Sequence, residues 1–337
     1  MLLTRKCFLK KLHFISLHSI YFFTTTYNHP RAAYAVTPAK GVTPVPENVP
    51  IIPYDDAAVQ TVAGDLLRRY PFLRARIFGR SVCGRHLRAY TLGRGTDCMI
   101  FAAAFHGQEW ITSYIALRFL SGMCKLWETD ADWQGKSLRK ILQSRRIVVI
   151  PGVNPDGVEI ALHGAAAAYE FAQSVEQISG GDLQDWNANA RGVDINHNFD
   201  AGWRILQGLE QAAGISSPAP RRYGGPYPNS EPETRALVRL TRRENPARVF
   251  ALHSQGEEIF WEYGGVYLEG AEKLAHALAN TSGYELIKND GLASHGGYKD
   301  WFIKAFRRPG FTFEFGKGRN PLPLDEFADI YNKAENM

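Results

Sequence analysis

The chain has 337 residues, 45% of them hydrophobic and 22% charged, which excludes a disordered segment, a fibre or a bundle of membrane spans and leaves ample chain for a large core. Its net charge of +5 is weighted to the first dozen residues, where Arg5, Lys6, Lys10 and Lys11 cluster, and the remainder is close to neutral. That balance gives no electrostatic case for nucleic acid or a polyanion as the main partner.

Residues 1–35 read as a signal peptide. The basic start is followed by a modestly apolar stretch from Phe14 to Phe23, interrupted by Ser16, His18 and Ser19, and then by Ala33-Tyr34-Ala35, which fits a small-x-small cleavage pattern. A secreted or extracytoplasmic protein, in the cell wall or periplasm, is the expectation, with no stable membrane span once the leader is removed. Residues 36–53 carry Pro38, Pro44, Pro46, Pro50 and Pro53 and read as an extended linker. A single globular domain is expected over residues 54–337, and nothing in it demands more than a monomer. Cys7, Cys83, Cys98 and Cys124 lack zinc-ribbon or redox spacing and read as buried apolar side chains.

Within the domain, helical and strand patterns alternate. Tyr54 to Tyr70 has helical periodicity and stops at Pro71. Met99 to Phe105 is a continuous apolar run, as expected of a strand buried on both faces, and ends at His106. Ile111 to Trp127 follows as an apolar-faced helix. Ile147 to Ile150 reads as a second buried strand, closed by Pro151 and a turn at Asn154-Pro155-Asp156-Gly157. A helix through Glu233 to Arg242, with Pro232 in its first turn, is expected to be capped by Ser230 or Asn229, with Glu233 completing the cap. Val249 to Leu252 and Phe311 to Phe315 complete the set of buried strands. The pattern predicts an α/β domain on a mixed, largely parallel sheet.

The polar residues at the strand ends carry the chemistry. His106 and His253 fall just past buried strands, and Glu314 falls within another; that edge of an open α/β sheet is where ligands bind. Glu109 stands three residues after His106 with Gly107 between them, so a tight turn brings both side chains to one point. A catalytic zinc takes three protein ligands and keeps a fourth position open, and two His with one Glu is a known set. His106, Glu109 and His253 are therefore the expected ligands of one zinc ion. Glu314, flanked by Phe311, Phe313 and Phe315, is a carboxylate in an apolar strand and the expected general base. Strand alternation places Thr312, Glu314 and Gly316 on one face and the three phenylalanines on the other.

The stretches HGQEW (His106 to Trp110), NPDG (Asn154 to Gly157), GVDINHNF (Gly192 to Phe199), HSQG (His253 to Gly256) and FTFEFG (Phe311 to Gly316) resemble the zinc carboxypeptidase family and occur in its order. The resemblance spans nearly all of residues 54 to 337. It implies an eight-stranded mixed sheet with helices on both faces, a metallopeptidase with the zinc ligands and base already named, and Asp194 as the carboxylate that orients His106. HSQGEEIFW (His253 to Trp261), GGYKDWF (Gly296 to Phe302), RRPGFTFEFGKGRNPLP (Arg307 to Pro323) and YPFLRARIFGRSVCGR (Tyr70 to Arg85) are similar to the bacterial γ-D-glutamyl-diaminopimelate peptidase branch, which implies a peptidoglycan stem peptide as substrate.

The departures from the family pattern bear on substrate recognition. After Asn196, where true carboxypeptidases carry an Arg that clamps the substrate carboxylate, this chain has His197. Asn187 stands where the oxyanion Arg is usual, with Arg191 as a substitute, and Leu292 stands where a Tyr caps the cleft, with His295 and Tyr298 nearby. Lys299 aligns with the position that lines the specificity pocket. Arg191, Asn196, His197, Tyr298 and Lys299 are thus the expected substrate-binding residues. An ordinary secreted carboxypeptidase and a catalytically silent peptidoglycan-binding protein are the competing readings.

Overall fold

The computed structural model describes residues 49–133, 135–288 and 294–335. The expected signal peptide, most of the expected linker and Leu292 lie outside these residues. The strands are β1 (Arg74–Arg80), β2 (His86–Gly93), β3 (Asp97–Ala103), β4 (Asp132–Trp133), β5 (Lys136–Ser137), β6 (Arg145–Ile150), β7 (Arg248–His253), β8 (Glu258–Phe260), β9 (Glu285–Ile287) and β10 (Gly310–Glu314). The helices are α1 (Asp56–Arg69), α2 (Ile111–Thr129), α3 (Leu138–Ser144), α4 (Pro155–His163), α5 (Ala172–Ser179), α6 (Trp203–Ala212), α7 (Pro232–Glu244), α8 (Ala271–Ser282), α9 (Tyr298–Phe306) and α10 (Phe327–Glu335). No described helix is long and apolar enough to cross a membrane.

Eight strands form one mixed sheet in the order β1-β2-β6-β3-β7-β10-β8-β9, and β4 and β5 make a separate short hairpin. The centre, β6-β3-β7-β10, is parallel, while the flanking pairs β1–β2, β2–β6 and β10–β8 are antiparallel. Central strands buried on both faces read as continuous apolar runs, which is why they were legible in the sequence. Alternation sends Cys98, Ile100 and Ala102 of β3 against Leu237 and Leu240 of α7 and Trp301 and Phe302 of α9. The other face carries a row of rings: Phe101 stacks on Phe250 at 4.6 Å, and Phe250 lies 5.6 Å from Phe311 and 5.8 Å from Phe313. Phe119 of α2 closes on Phe101 from outside at 4.9 Å. Each buried ring contributes roughly 1.5–3 kcal/mol in transfer free energy, so this row fixes the register of the strands that carry the site.

Several local expectations are corrected. Asn154 does not open a free turn: its side chain accepts from Gly157 N at 2.9 Å and caps α4, with Pro155 in the first position. The cap residue of α7 is Glu231, not Ser230 or Asn229, and no side chain bonds the helix end. Ser230 Oγ instead donates to Glu231 Oε1 at 2.8 Å. Glu233 is no capping residue either; it is fully buried, and its Oε1 accepts from Val82 N at 2.9 Å. At the end of the expected linker, Val49 is buried and its carbonyl accepts from Tyr114 Oη at 3.1 Å.

Candidate metal centre

The carboxyl edge of the central sheet is shaped by how the chain leaves β3. Ala104 takes a left-handed backbone, φ 50°, where a side chain is disfavoured. The carbonyls of Ala103 and Ala104 each accept from the next loop, from Val153 N and Asn154 N at 2.9 Å, and Ala104 N donates to Thr112 Oγ1 at 2.8 Å. These bonds hold the turn that presents His106, and a single 3-10 turn over Gly107–Glu109 follows. A Cβ at Gly107 would stand 2.4 Å from Gly157 O and 2.7 Å from Trp186 O, so only glycine lets the turn close.

Three donor groups converge there. His106 Nδ1 lies 2.7 Å from Glu109 Oε1, His253 Nδ1 lies 3.0 Å from Glu109 Oε2, and the two Nδ1 atoms are 3.3 Å apart. All three ligand atoms lie within 4.8 Å of one another. Two imidazole nitrogens facing each other at that distance cannot satisfy one another as neutral acceptors, but they suit a shared cation, and the N,N,O set fits zinc. His106 Nε2 is bonded to Asp194 Oδ1 at 3.0 Å, which leaves Nδ1 as the lone-pair atom. Asp194 is itself held by Asn196 N at 3.1 Å and Arg222 N at 2.9 Å.

The electrostatics follow from burial and these contacts. Burial disfavours a charged His106, yet the Glu109 and Asp194 carboxylates hold its pKa well above the usual imidazole range. At His253 burial wins over Glu109 and the pKa is lowered. Against the opposing effect of burial, the two imidazoles hold Glu109 at about 2, and His106 with His197 holds Asp194 far below the carboxylate range. Glu314 goes the other way: burial and then the Glu109 charge push it well above that range. Glu314 sits in register with His253 on one side and Glu258 on the other. Glu258, close after His253 in the sequence, adds to the upward push on Glu314.

The remaining predicted residues separate into two groups. Asn196 and His197 lie beside Asp194: Asn196 Oδ1 accepts from Tyr298 N at 3.0 Å, and His197 Nδ1 lies 2.8 Å from Glu210 Oε1 and 3.0 Å from Arg222 O. Burial opposes charge on His197, but Asp194 and Glu210 raise its pKa. Tyr298 does not line a cleft; it is fully buried against Phe105 and Phe199, and its hydroxyl meets Thr241 Oγ1 at 2.8 Å. Lys299 is only 4% exposed, its ammonium 2.7 Å from Glu262 O and 2.5 Å from Asp300 Oδ1, so it is committed internally. Arg191 is half-exposed, 3.7 Å from Glu231, and lies over the Phe171 ring. Asn187 is buried, its carbonyl accepting from Gly107 N at 3.1 Å, and His295 faces Tyr263. The sequence reading also passed over Arg222, whose backbone touches both Asp194 and His197 from a left-handed φ of 67°. Nothing local in the sequence marks it, because its loop reaches the centre only through tertiary packing.

A desolvated carboxylate beside a three-donor pocket is the arrangement of a single-ion hydrolytic centre. A family model described as zinc carboxypeptidase matches residues 60–336. The chain belongs to the zinc carboxypeptidase family and is a metallopeptidase whose cofactor is zinc. It is 35% identical over 283 residues to γ-D-glutamyl-L-diamino acid endopeptidase 1 of Lysinibacillus sphaericus, covering 83% of this chain and 70% of that protein. It is 34% identical to the uncharacterized protein YqgT of Bacillus subtilis, covering 84% and 76%. Among solved structures, that of thrombin-activatable fibrinolysis inhibitor superposes with a TM-score of 0.65 at 19% identity, covering 84% of this chain and 72% of that one, a likeness of fold.

Proposed function

We propose that the protein hydrolyses cell-wall stem peptides at the γ-D-glutamyl–diaminopimelate bond or its lysine equivalent, and that it acts outside the cytoplasmic membrane. The observation that carries this reading is His197. Where the family clamp would present a planar guanidinium fork to a free α-carboxylate, this chain places an imidazole whose Nδ1 is already engaged by Glu210. One ring nitrogen remains for substrate, which suits a single-point contact to an unusual acidic peptide and not a bidentate grip. The relative from Lysinibacillus sphaericus, named for γ-D-glutamyl-L-diamino acid cleavage, supports the same substrate class.

In this reading His106, Glu109 and His253 hold the ion, and Asp194 fixes the tautomer of His106. Zinc held there supplies Lewis acidity to a water and to the scissile carbonyl. Glu314 takes the proton from the attacking water and returns it to the departing nitrogen. Burial and the Glu109 charge raise its proton affinity, and a cation bound beside it would pull that affinity back toward the range in which a carboxylate can both take and return a proton. Asn196 and His197 position the peptide, and the exposed Arg191 and Arg222 stand as rim contacts.

The test is mass spectrometry of L-Ala-γ-D-Glu-diaminopimelate after incubation with the zinc-loaded protein. Release of diaminopimelate with L-Ala-γ-D-Glu is expected. An intact tripeptide together with trimming of ordinary peptide C-termini would replace this reading with that of a general carboxypeptidase.

A further inference from the structure

Six of the 39 basic residues and one of the 34 acidic residues precede residue 49, so the 33 of each sign that remain cancel. Against that neutral background, guanidinium groups gather at one place. A cavity of about 360 Å³ is lined by Arg74, Arg76, Arg94, Arg146, Thr91 and Glu244. Arg74 and Arg76 share one face of β1 by strand alternation, and Arg74 lies in register with Thr91 of β2. Arg146 stands at the start of β6, which runs parallel to β3, whereas His106 stands beyond the far end of β3. The length of β3, about 23 Å at roughly 3.3 Å per residue, separates the cavity from the metal centre. The cavity is not an extension of the hydrolytic cleft.

Three of its four arginines are tethered within the fold, and one carboxylate is too few to neutralise them. Glu244 is the sole carboxylate of the lining; its side chain is 11% exposed and is shared by Arg76 at 2.9 Å, Arg146 at 3.2 Å and Arg243 at 3.5 Å. Arg146 spends its donors inside the fold: Nη1 on Gly95 O at 2.7 Å and Thr96 O at 3.1 Å, Nη2 on Glu244 O at 2.8 Å and Glu244 Oε2, and Nε on Glu244 Oε2 at 3.3 Å, so it lends the cavity charge alone, while Arg74 Nη2 donates to Gly93 O at 2.8 Å and keeps its other donors. Carbonyl contacts fix a guanidinium but leave its full charge. Arg94 is exposed and has no side-chain partner among the described residues. Four guanidiniums against one shared carboxylate leave a net charge of about three around a cavity wide enough for a tetrahedral oxyanion. The open donors of Arg74, Arg76 and Arg94, backed by the charge of Arg146, match phosphate, with several oxygens and up to two charges, better than a lone carboxylate.

We propose that this cavity binds a phosphate-class anion, a phosphate monoester or the phosphodiester of a polymer, at a site distinct from the hydrolytic centre. The site stands whichever peptide bond the enzyme cuts. The test is isothermal titration of the zinc-loaded protein at low salt with inorganic phosphate, glycerol phosphate, poly(glycerol phosphate) and polyglutamate. Wild type is compared with Arg94→Gln, with Arg74→Gln/Arg94→Gln, and with Lys273→Gln on the far side of the sheet as control. Arg94→Gln removes no bond within the fold. Phosphate probes should bind wild type and the control alike, and each arginine lost should weaken them roughly tenfold, as expected for a charge-assisted bond. Binding of the monoester alone assigns a small-molecule site; tighter binding of the polymer assigns a chain. Peptide cleavage should stay within about twofold in the double variant, since the cavity lies at the opposite end of the strands from the metal centre. No binding of any phosphate probe, binding unchanged in the double variant, or polyglutamate binding as tightly as poly(glycerol phosphate) would each overturn the proposal.

Discussion

Replacing Glu233 with Gln should remove a penalty that grows with pH. The Glu233 carboxyl is fully buried between the β1–β2 turn and the loop before Asp194, where Val82 N donates to it and the carboxylates of Asp156 and Glu231 lie close by. Burial, then the charge of Asp156, pushes its pKa from 4.5 up to about 8. The folded chain thus holds this proton more tightly than the unfolded chain does. Its contribution to stability is complete below about pH 4.5 and is lost as pH rises to about 8. At about 1.36 kcal/mol per pH unit, the interval between those values sets a ceiling of roughly 5 kcal/mol. Rearrangement and water entry reduce that, so a difference of roughly 2–4 kcal/mol is expected between wild type and Glu233→Gln at pH 9. Glutamine keeps an acceptor for Val82 N and gives up only the long 3.5 Å contact from Asn189 Nδ2, which still donates to Glu231 Oε2 at 2.8 Å. Urea unfolding of both proteins at pH 5, 7 and 9 gives the comparison. The two should be nearly equal at pH 5, with the variant more stable at pH 9. Parallel pH curves, or a variant weaker at every pH, would refute the reasoning.

Two other substitutions separate roles around the centre. Asp194→Asn removes the carboxylate charge behind His106 and sets an amide donor against either Arg222 N or His106 Nε2, and zinc affinity in a chelator competition should fall roughly 10–100-fold while the fold is kept. Lys299→Ala leaves Asp300 buried without its cation, so stability should fall by roughly 3–5 kcal/mol in denaturant titrations. The preference of Lys299→Ala for acidic peptides, measured as a ratio of kcat/KM values, should stay unchanged. A changed ratio would return Lys299 to the specificity pocket.

The metal centre was legible because its signal is local. A histidine directly after a long apolar run, or a glutamate inside one, is costly unless it has work at the strand end, and His106, His253 and Glu314 all fit that pattern. The edges of the sheet were harder to read. β1, with the sequence RARIFGR, is mostly exposed, and β8 and β9 have three residues each, so neither apolar run nor clear alternation marks them. Tyr298 and Lys299 illustrate a different limit. Their alignment is close to the centre, but they open α9 beneath Asn196, and the helix turns their side chains into the core. Glu233 and Arg222 gain their character from partners 25 or more residues away, Val82 for one and Asp194 with His197 for the other. The same is true of the arginine cavity, which draws on β1, β2, β6 and α7.

The most direct test of the catalytic assignment is the kcat of Glu314→Gln, measured on the peptide that wild type cleaves and with zinc content determined on the same sample. One zinc per chain should be retained, because Glu314 is not among the three converging donors, and kcat should fall by roughly 10²–10⁴-fold. A zinc-loaded Glu314→Gln protein that turns over at the wild-type rate would contradict the account and move the base to another group, Glu258 first.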